Sequence, residues 1–373
     1  MRVGIDGIVL RGRDAGSLRY FEQLLTGLAE AGKSNEYIIF ADERILTSSV
    51  VPRNVNFLLK NINKNSLLPG ALQQQLYSAW HLFGDLDILH TPIFIPPLWY
   101  SGKTVMTIFD LTYLRFPKTQ KWTGRFWWRL LGPAGIKKSS HLVAISESTK
   151  KDLLSAYKIP KEQVTVIYPY TPAQFKPVPK NNTIINKYHL PESYILYVGT
   201  LERRKNITTL LRAFSIVKRD TSLEHYLVLV GQRGWLYNDI FQTVEELGIK
   251  HDVIFLGYVP DEDLPGIYSG ADLFVFLSIY EGFGFPVLEA MACGVPILTA
   301  NTSSLPEVVD DAGVLVPPYD VDLAAFEMIR ILSDPETQKD LSDRGLAQAK
   351  KFSQKHFTKE NLAVYDKVIS SEL

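Results

Sequence analysis

Short apolar runs alternate along the chain with longer segments that have helical spacing. In the first half these runs are Val3–Ile5, Tyr37–Phe40, Asp87–His90, Val105–Phe109, His141–Ile145 and Val164–Ile167. In the second half they are Tyr194–Val198, Tyr226–Val230, Val253–Leu256, Leu273–Leu277, Pro296–Thr299 and Gly313–Val316. The helical segments include Leu18–Glu30, Glu147–Tyr157, Ile207–Arg219, Asp239–Leu247 and Pro286–Cys293. This alternation predicts an α/β fold with parallel sheets covered by helices.

A proline-rich segment separates the two halves. Residues 168–179 contain four prolines, which interrupt regular structure. We therefore expect two domains of similar architecture, 1–175 and 176–352. We expect the final segment, 353–373, to form a helix that packs back on the first domain.

Composition and charge narrow the functional classes. Hydrophobic residues make up 46% of the chain and charged residues 21%, as in soluble globular proteins. Forty basic residues balance forty acidic ones, so the whole-chain charge predicts no nucleic-acid partner. The single cysteine, Cys293, excludes a disulfide framework and a thiolate zinc site within one chain. No apolar run reaches membrane-spanning length and no signal peptide is visible, so we expect a cytoplasmic protein.

The balanced total hides a difference between the halves. Residues 1–180 carry 23 basic and 13 acidic side chains, whereas residues 181–373 carry 17 and 27. Two domains with different partners would show this asymmetry, and so would two domains that attract each other. Both interpretations remain open at this point.

The strongest local signal lies between residues 278 and 294. The sequence SIYEGFGFPVLEAMACG follows an apolar strand, and Gly282 and Gly284 predict a tight turn around Phe283. The proline at position 286 suits the first helical residue and Gly294 suits the position after the helix, which predicts a helix over 286–293. A helix N-terminus at the carboxyl end of a parallel strand favours an anion such as a diphosphate.

Charged side chains support a ligand site at this edge. Glu281 lies in the turn and Glu289 about one turn into the helix, and ionised carboxylates accept hydrogen bonds from sugar hydroxyls. Arg204 and Lys205 follow the first strand of the second half, and both side chains suit phosphate oxygens. A capping glutamate and a solvated basic turn are the structural alternatives. Their shared position at strand ends favours a diphosphate site.

These motifs resemble those of glycosyltransferase family 4, in the same order and over nearly the whole chain. Glu281 and Glu289 match the E-x7-E motif of that family, and the AMACGVP sequence that follows is typical of it. Further matches are Tyr197–Asn206, Asn301–Pro317, Asp87–Pro92 and Ala144–Ser148. The resemblance implies the GT-B architecture, in which two Rossmann-like, doubly wound parallel-sheet domains face each other across a cleft. The first domain would take the acceptor and the second the donor.

The resemblance also implies roles for the matched residues. The donor-binding set is Arg204, Lys205, Gly282, Phe283, Gly284, Glu289, Val259 and Gly16, and the catalytic set is Glu281 and Asp110. The basic pair would bind the donor diphosphate, Glu281 the transferred sugar and Glu289 the ribose. Enzymes of this family retain anomeric configuration and generally need no metal, because the basic pair and the helix end stabilise the departing diphosphate. We therefore expect no cofactor.

Two positions in the first half depart from the family pattern. Family members of this subtype often carry a His-Asp pair, and here Phe109 precedes Asp110 in place of the histidine. They also often carry a Gly-x-Gly-Arg-Tyr turn, and here Leu18 replaces the second glycine after Gly16. Both changes lie on the acceptor side, whereas the donor half keeps the pattern.

Three functional interpretations compete. The first is a transferase that moves a hexose from a nucleotide-diphosphate sugar to a glycan or lipid-linked acceptor. GDP-mannose is the first choice of donor, because the second half resembles bacterial mannosyltransferases of surface polysaccharides, and UDP- and dTDP-sugars remain open. The second is a catalytically weak homologue that acts as a donor-binding regulatory or scaffold subunit. The third is another GT-B enzyme such as an epimerase, which predicts a different carboxylate pattern.

A basic, aromatic segment lies within the first half. Seven basic residues and no acidic ones stand between Leu111 and Ser146. A helix within 118–140 would place Trp122, Phe126, Trp127, Leu130 and Leu131 on one side and Lys121, Arg125 and Arg129 on the other. This pattern predicts peripheral docking on an anionic membrane surface at the inner face of the cell membrane. The alternative is an apolar side packed on the first sheet, with a basic rim that binds the acceptor.

Overall fold

The chain forms two compact units in a computed structural model. The structure describes residues 1–373 except 9, 11–14, 32–34, 42–44, 46–50, 52–56, 62–73, 77–82, 93–94, 118–121, 180–181, 235–236 and 372–373. Unit 1 comprises Met1–Tyr170 and Ser353–Leu373, and unit 2 comprises Thr171–Phe352. The division follows Tyr170, within the proline-rich segment and five residues before the position expected from the sequence.

The described elements alternate along the chain. The strands are β1 Arg2–Asp6, β2 Glu36–Ala41, β3 Phe57–Asn61, β4 Ile88–Thr91, β5 Thr104–Ile108, β6 His141–Ala144, β7 Val164–Val166, β8 Tyr194–Val198, β9 Tyr226–Val230, β10 Val253–Gly257, β11 Leu273–Phe276, β12 Ile297–Ala300 and β13 Val314–Val316. The helices are α1 Ala15–Ala31, α2 Thr112–Arg115, α3 Trp122–Lys138, α4 Glu147–Ala156, α5 Asn182–Tyr188, α6 Ile207–Asp220, α7 Asn238–Glu246, α8 Leu264–Ser269, α9 Phe285–Ala292, α10 Leu305–Val309, α11 Val321–Ser333, α12 Pro335–Ala349 and α13 Gln354–Ser370.

Unit 1 is built on a seven-stranded parallel sheet. Its strand order is β3-β2-β1-β4-β5-β6-β7. The central strands β1, β4, β5 and β6 are buried apart from Arg2 and are mainly apolar, as expected of parallel strands covered on both faces. Strand β3 was not predicted from the sequence. Its sequence, FLLKN, is short and carries a lysine and an asparagine.

The C-terminal helix α13 completes unit 1. Ser353 caps its first turn by accepting a hydrogen bond from the backbone N–H of His356 at 3.3 Å. At its other end, Lys103 Nζ donates to the carbonyl oxygens of Val368, Ile369 and Ser371 at 2.7–3.0 Å. These bonds place a cation where the helix dipole is negative. The helix therefore belongs to the fold of unit 1 although unit 2 precedes it in sequence.

A buried polar network joins α13 to the first sheet. His90 Nδ1 lies 2.6 Å from Tyr365 Oη, and His90 Nε2 lies 2.9 Å from Thr107 Oγ1. Tyr20 Oη lies 3.3 Å from the same threonine oxygen. Burial lowers the pKa of His90 to about 3, so its imidazole is neutral. His90 is thus a core residue that solvent does not reach.

Helix α3 divides its apolar residues between two faces. Trp128 and Leu131 pack against the core cluster of β5 and β6, and Trp128 stacks on Tyr113 at a centroid distance of 5.0 Å. Phe126 and Leu130 instead point outward, with 52% and 56% of their surface exposed. The prediction that Leu131 shares one side with Phe126 and Leu130 is therefore wrong. Residues 118–121 and the side chains of 122–125 and 127 lie outside the description.

Unit 2 has the strand order of a Rossmann fold. Its six parallel strands run β10-β9-β8-β11-β12-β13, which is the doubly wound order with β8 as the first strand. The order reverses between β8 and β11, because the chain moves outward in one direction after β8 and in the other after β11. Ligands of such sheets bind outside the carboxyl ends of the strands at this switch point.

Glycines allow the carboxyl ends of three neighbouring strands to approach each other closely. Gly199, Gly231 and Gly257 follow or end β8, β9 and β10, and all three have positive φ. The Gly231 N–H donates to the Gly257 carbonyl at 2.8 Å. A Cβ at position 231 would lie 2.0 Å from the Gly199 carbonyl oxygen, so no side chain fits there. At Gly231 the carboxyl edge of the sheet therefore consists of backbone atoms without a side chain.

Candidate functional site

The candidate site lies at the switch point of unit 2. Arg203–Lys205 form a single 3-10 turn directly after β8, and the loop after β11 begins beside it. The backbone N–H of Ile279 donates to the Arg204 carbonyl at 3.0 Å, which joins the two segments. Two motifs separated by more than 70 residues in sequence therefore form one site.

Asn206 fixes the basic turn in place. It adopts a left-handed conformation with φ 56°, which ends the 3-10 turn and starts α6. Its side-chain Nδ2 donates to the Leu277 carbonyl at 3.0 Å, and its Oδ1 accepts from Thr209 Oγ1 at 2.8 Å. Asparagine tolerates left-handed backbone better than most residues. The sequence Arg-Arg-Lys-Asn thus directs its last two cations towards β11.

The predicted diphosphate ligands and the predicted sugar ligand contact each other. Lys205 Nζ donates to Glu281 Oε1 at 2.6 Å, and Arg204 Nη1 lies 3.2 Å from Glu281 Oε2. Arg204 Nη2 also donates to Glu202 Oε1 at 2.7 Å. Ser278 Oγ donates to Glu281 Oε1 at 2.6 Å. Two cations and two carboxylates therefore form a compact cluster whose formal charges cancel.

Charge attraction keeps Glu281 ionised despite its burial. Burial alone opposes ionisation of Glu281, but Arg204 and Lys205, with hydrogen bonds from Lys205 and Ser278, lower its pKa to about 2. Burial lowers the pKa of Lys205, and the charge of Arg204 acts in the same direction against the attraction of Glu281 and Glu202. Desolvation thus outweighs the pairing for the amine, whereas pairing outweighs desolvation for the carboxylate.

The glycine turn after Glu281 is held by two serines. Ser303 Oγ accepts from the Glu281 N–H at 2.9 Å. Ser304 Oγ lies within donating distance of the carbonyls of Glu281 and Phe283, at 3.0 and 2.7 Å. Gly284 has φ 112° and begins α9, so the turn needs glycine at that position. The N-terminus of α9 is therefore held at the carboxyl end of β11, and its helix bounds lie one residue before those predicted.

Glu289 is a buried carboxylate on α9. Only 2% of its surface is exposed, and Tyr268 Oη donates to its Oε2 at 3.0 Å. Tyr268 lies on α8 and is itself fully buried. The sequence analysis selected Glu289 but missed this tyrosine.

The other predicted site residues occupy different environments. Val259 is buried two residues after β10, whereas the adjacent Tyr258 has 64% of its surface exposed. Gly16 is exposed in the first turn of α1, and a Cβ there would meet nothing within 4 Å. Asp110 accepts the backbone N–H of Thr112 at 2.8 Å at the start of α2. Gly16 and Asp110 belong to unit 1, whereas the cluster around Glu281 belongs to unit 2.

In the part of the chain that the structure describes, no group of three or more His, Cys, Asp or Glu side chains is arranged to hold a metal ion. None of the described helices has the length and apolar character needed to cross a bilayer.

Similarity to known proteins extends over both units. Residues 181–348 match the family described as glycosyl transferases group 1, and residues 15–173 match glycosyltransferase family 4. The chain is 35% identical over 298 residues to O-antigen chain mannosyltransferase B of Escherichia coli, covering 77% of this chain and 76% of that one. It is 28% identical over 316 residues to O-antigen chain mannosyltransferase RfbU of Salmonella typhimurium, covering 82% and 84%. Sucrose-phosphate synthase from Thermosynechococcus elongatus has a similar structure, with a TM-score of 0.79, 22% identity and full coverage of both chains.

The fold and the matches together identify the class. Two Rossmann-type units of these topologies form a glycosyltransferase with the GT-B fold. The protein belongs to the group 1, family 4 glycosyltransferases and is a hexosyltransferase of that family.

Proposed function

We propose that the protein is a retaining mannosyltransferase that uses GDP-mannose and extends a lipid-linked glycan of a bacterial surface polysaccharide. The observation that carries this proposal is the cluster of Arg204, Lys205 and Glu281 at the switch point of unit 2. Such a position binds nucleotides in Rossmann-type sheets, and two cations there suit a diphosphate. The choice of mannose is supported by the two mannosyltransferases named above.

In this proposal the donor rearranges the ion cluster. The diphosphate oxygens take the bonds from Lys205 and Arg204 that Glu281 now accepts. Glu281 is then available to accept hydrogen bonds from the sugar hydroxyls, and Glu289 accepts those of the ribose. Cations aimed at the leaving diphosphate stabilise the negative charge that develops as the glycosidic bond breaks.

The same two cations support a reaction without a metal. Two positive side chains beside the diphosphate take over the charge neutralisation that a divalent ion would supply. The expected result is full activity in the presence of EDTA. A loss of activity that Mg²⁺ or Mn²⁺ restores would contradict this part of the proposal.

A donor and product assay tests the proposal. Purified protein is incubated with GDP-mannose, UDP-glucose, UDP-galactose and dTDP-rhamnose and with a lipid-diphosphate-linked oligosaccharide. We expect transfer from GDP-mannose only, with an α-linked product by NMR, because the donor is α-linked. Transfer from another sugar nucleotide, or a β-linked product, would overturn the donor or the stereochemistry respectively.

One observation favours the alternative of a catalytically weak, donor-binding subunit. Phe109 stands where family members often carry a histidine, and its ring packs edge-on against the buried Tyr20 at 5.0 Å. An aromatic core contact supplies no hydrogen-bond donor to a substrate. Donor binding without transfer to any acceptor in the assay above would support this alternative. If Phe109→His instead increases the rate of transfer severalfold, the protein is an active transferase whose acceptor site is impaired by Phe109.

We also propose that the exposed face of α3 docks the protein on an anionic membrane. Phe126 and Leu130 are exposed there, together with Arg129, Lys137 and Lys138. No acidic residue lies on this helix. Apolar side chains beside cations suit the boundary between acyl chains and anionic headgroups. A lipid-linked acceptor would be found at the same surface, and a peripheral position at the inner face of the cell membrane would follow.

Liposome flotation tests the membrane proposal. Arg129→Glu with Lys137→Glu should release the protein from phosphatidylglycerol vesicles at low salt, since each surface cation contributes about 1 kcal/mol of attraction. Lys151→Glu with Lys161→Glu makes the same charge change at exposed positions elsewhere on unit 1 and should leave flotation largely intact. If the unmodified protein does not bind anionic vesicles, the membrane proposal is wrong and a soluble acceptor is favoured.

A further inference from the structure

Tyr268 connects helix α8 to the buried carboxylate of α9. Its hydroxyl donates to Glu289 Oε2 at 3.0 Å, and both side chains are almost completely removed from solvent. We propose that Tyr268 is a positioning residue that orients Glu289 towards the ribose and thereby sets the preference for ribonucleotide over deoxyribonucleotide donors. The inference rests on the proposed function, in which Glu289 accepts the ribose hydroxyls.

The tyrosine ring is held in one position. Phe274 of β11 packs against it at a centroid distance of 5.7 Å, and Phe175 meets it edge-on at 6.1 Å. The helix that carries it is also anchored, because Tyr194 Oη donates to the Ile267 carbonyl at 2.6 Å. A hydroxyl on a fixed ring defines where one carboxylate oxygen must lie.

The chemistry of the bond suits an orienting role. A buried carboxylate needs hydrogen-bond donors to replace the water it has lost. Tyr268 supplies a neutral donor from a fixed ring, so the bond defines the position of one carboxylate oxygen of Glu289. An oriented carboxylate can accept hydrogen bonds from hydroxyl donors that approach it from one direction.

Rigid orientation matters most for a ligand with two adjacent hydroxyls. The ribose 2′- and 3′-hydroxyls present donors in a fixed relation, and a site built for such donors rejects an analogue that lacks them. Without the Tyr268 hydroxyl, Glu289 loses a fixed donor and can turn away from the ribose. The loss should therefore affect discrimination at the ribose more than affinity for the diphosphate.

Calorimetry with matched nucleotides tests the inference. GDP and UDP are each compared with their 2′,3′-dideoxy forms on the unmodified protein and on Tyr268→Phe. Tyr194→Phe is the matched control, because it removes another buried tyrosine hydroxyl that contacts α8 but does not bond Glu289. Two further variants carry Glu289→Ala, one alone and one together with Tyr268→Phe.

The expected pattern is specific. On the unmodified protein the dideoxy form binds about tenfold more weakly or worse, as the loss of a charged hydrogen bond implies. Tyr268→Phe reduces this ratio to about threefold or less, and adds nothing in the Glu289→Ala background, because the two side chains act as one unit. Tyr194→Phe lowers the melting temperature and keeps the ratio.

The contrary outcomes separate the inference from the proposed function. If the unmodified protein discriminates and Tyr268→Phe discriminates equally well, the positioning role is wrong and the proposed function stands. If Tyr194→Phe loses discrimination to the same extent, the effect comes from packing around α8 and the inference is overturned. If the unmodified protein binds neither diphosphate, or binds ribo and dideoxy forms equally, the assigned donor or the ribose role of Glu289 fails first.

Discussion

Replacing Glu281 with glutamine should tighten binding of a bare diphosphate and at the same time abolish sugar transfer. In the structure this carboxylate accepts from Lys205 at 2.6 Å and lies 3.2 Å from Arg204, so it occupies the cations that a diphosphate needs. Glutamine keeps the size of the side chain and its hydrogen bond from Ser278, but removes the competing charge. The sugar, in contrast, loses an ionised acceptor.

The size of the effect follows from the bonds that exchange. A hydrogen bond to a charged group contributes about 1.5–3 kcal/mol, whereas a neutral one contributes about 1 kcal/mol. Replacing the charged hydrogen bond between Glu281 and Lys205 by a neutral one makes about 0.5–2 kcal/mol available for diphosphate binding. This corresponds to a gain in affinity of about two- to thirtyfold. The free protein should also become less stable, because removing one partner of a buried ion cluster costs about 3–5 kcal/mol.

Pyrophosphate is the sharpest probe, because it carries neither sugar nor ribose. Calorimetry should give tighter binding to Glu281→Gln than to the unmodified protein, and the melting temperature should rise more on ligand addition. Glu289→Gln makes the same chemical change on α9 and should leave pyrophosphate affinity unchanged. Equal or weaker pyrophosphate binding by Glu281→Gln would refute the view that Glu281 competes with the donor diphosphate.

Three further predictions concern single residues. Lys205→Ala should weaken GDP binding about tenfold or more in calorimetry, and unchanged affinity would exclude it from the diphosphate site. Because burial lowers the pKa of His90 to about 3, its contribution to stability is complete above the unfolded pKa of about 6.5 and is lost as pH falls towards 3. The melting temperature should therefore drop between pH 7 and pH 5 less steeply in His90→Asn, and equal slopes would contradict this origin. Gly231→Ala should lower the melting temperature more than Gly248→Ala. Both glycines have positive φ, but only a Cβ at position 231 would clash with backbone, at the Gly199 carbonyl oxygen. Similar losses for the two variants would mean that the backbone at the end of β8 can move to accept the methyl group.

Periodicity predicted most of the fold because local and tertiary preferences agree. The inner strands β8, β9, β11 and β12 are buried on both faces except at Tyr226, and each apolar run from β8 to β13 lies within a residue or two of its predicted position. Helix ends were predicted equally well, because the helix expected over 286–293 from its flanking proline and glycine spans Phe285–Ala292. Strand β3 was missed because its edge position relaxes the demand for a continuous apolar run.

The sequence predicted that Arg204, Lys205 and Glu281 lie at the same edge of the second sheet, but it did not predict their contacts with each other. The motifs supplied Arg204, Lys205 and Glu281, yet spacing could not show that the cations bind the carboxylate rather than standing apart from it. Tyr268 was missed because an apolar, buried tyrosine has the same pattern as any core aromatic residue. The split of Phe126 and Leu131 between two faces of α3 depends on which neighbours cover the helix, and its sequence contains no signal for that.

The order of the segments along the chain lets the two units complete their folding at different times during synthesis. Unit 2 is one continuous stretch, so it can fold as soon as residue 352 has left the ribosome. Unit 1 must wait for α13, and the bond from Lys103 to the Val368 carbonyl spans 265 residues. At roughly 5–20 residues per second, its first strands wait on the order of ten seconds or longer for their last partner. Prematurely terminated chains that lack α13 should therefore expose the His90 face of the sheet, and we expect the cell to recognise and degrade them.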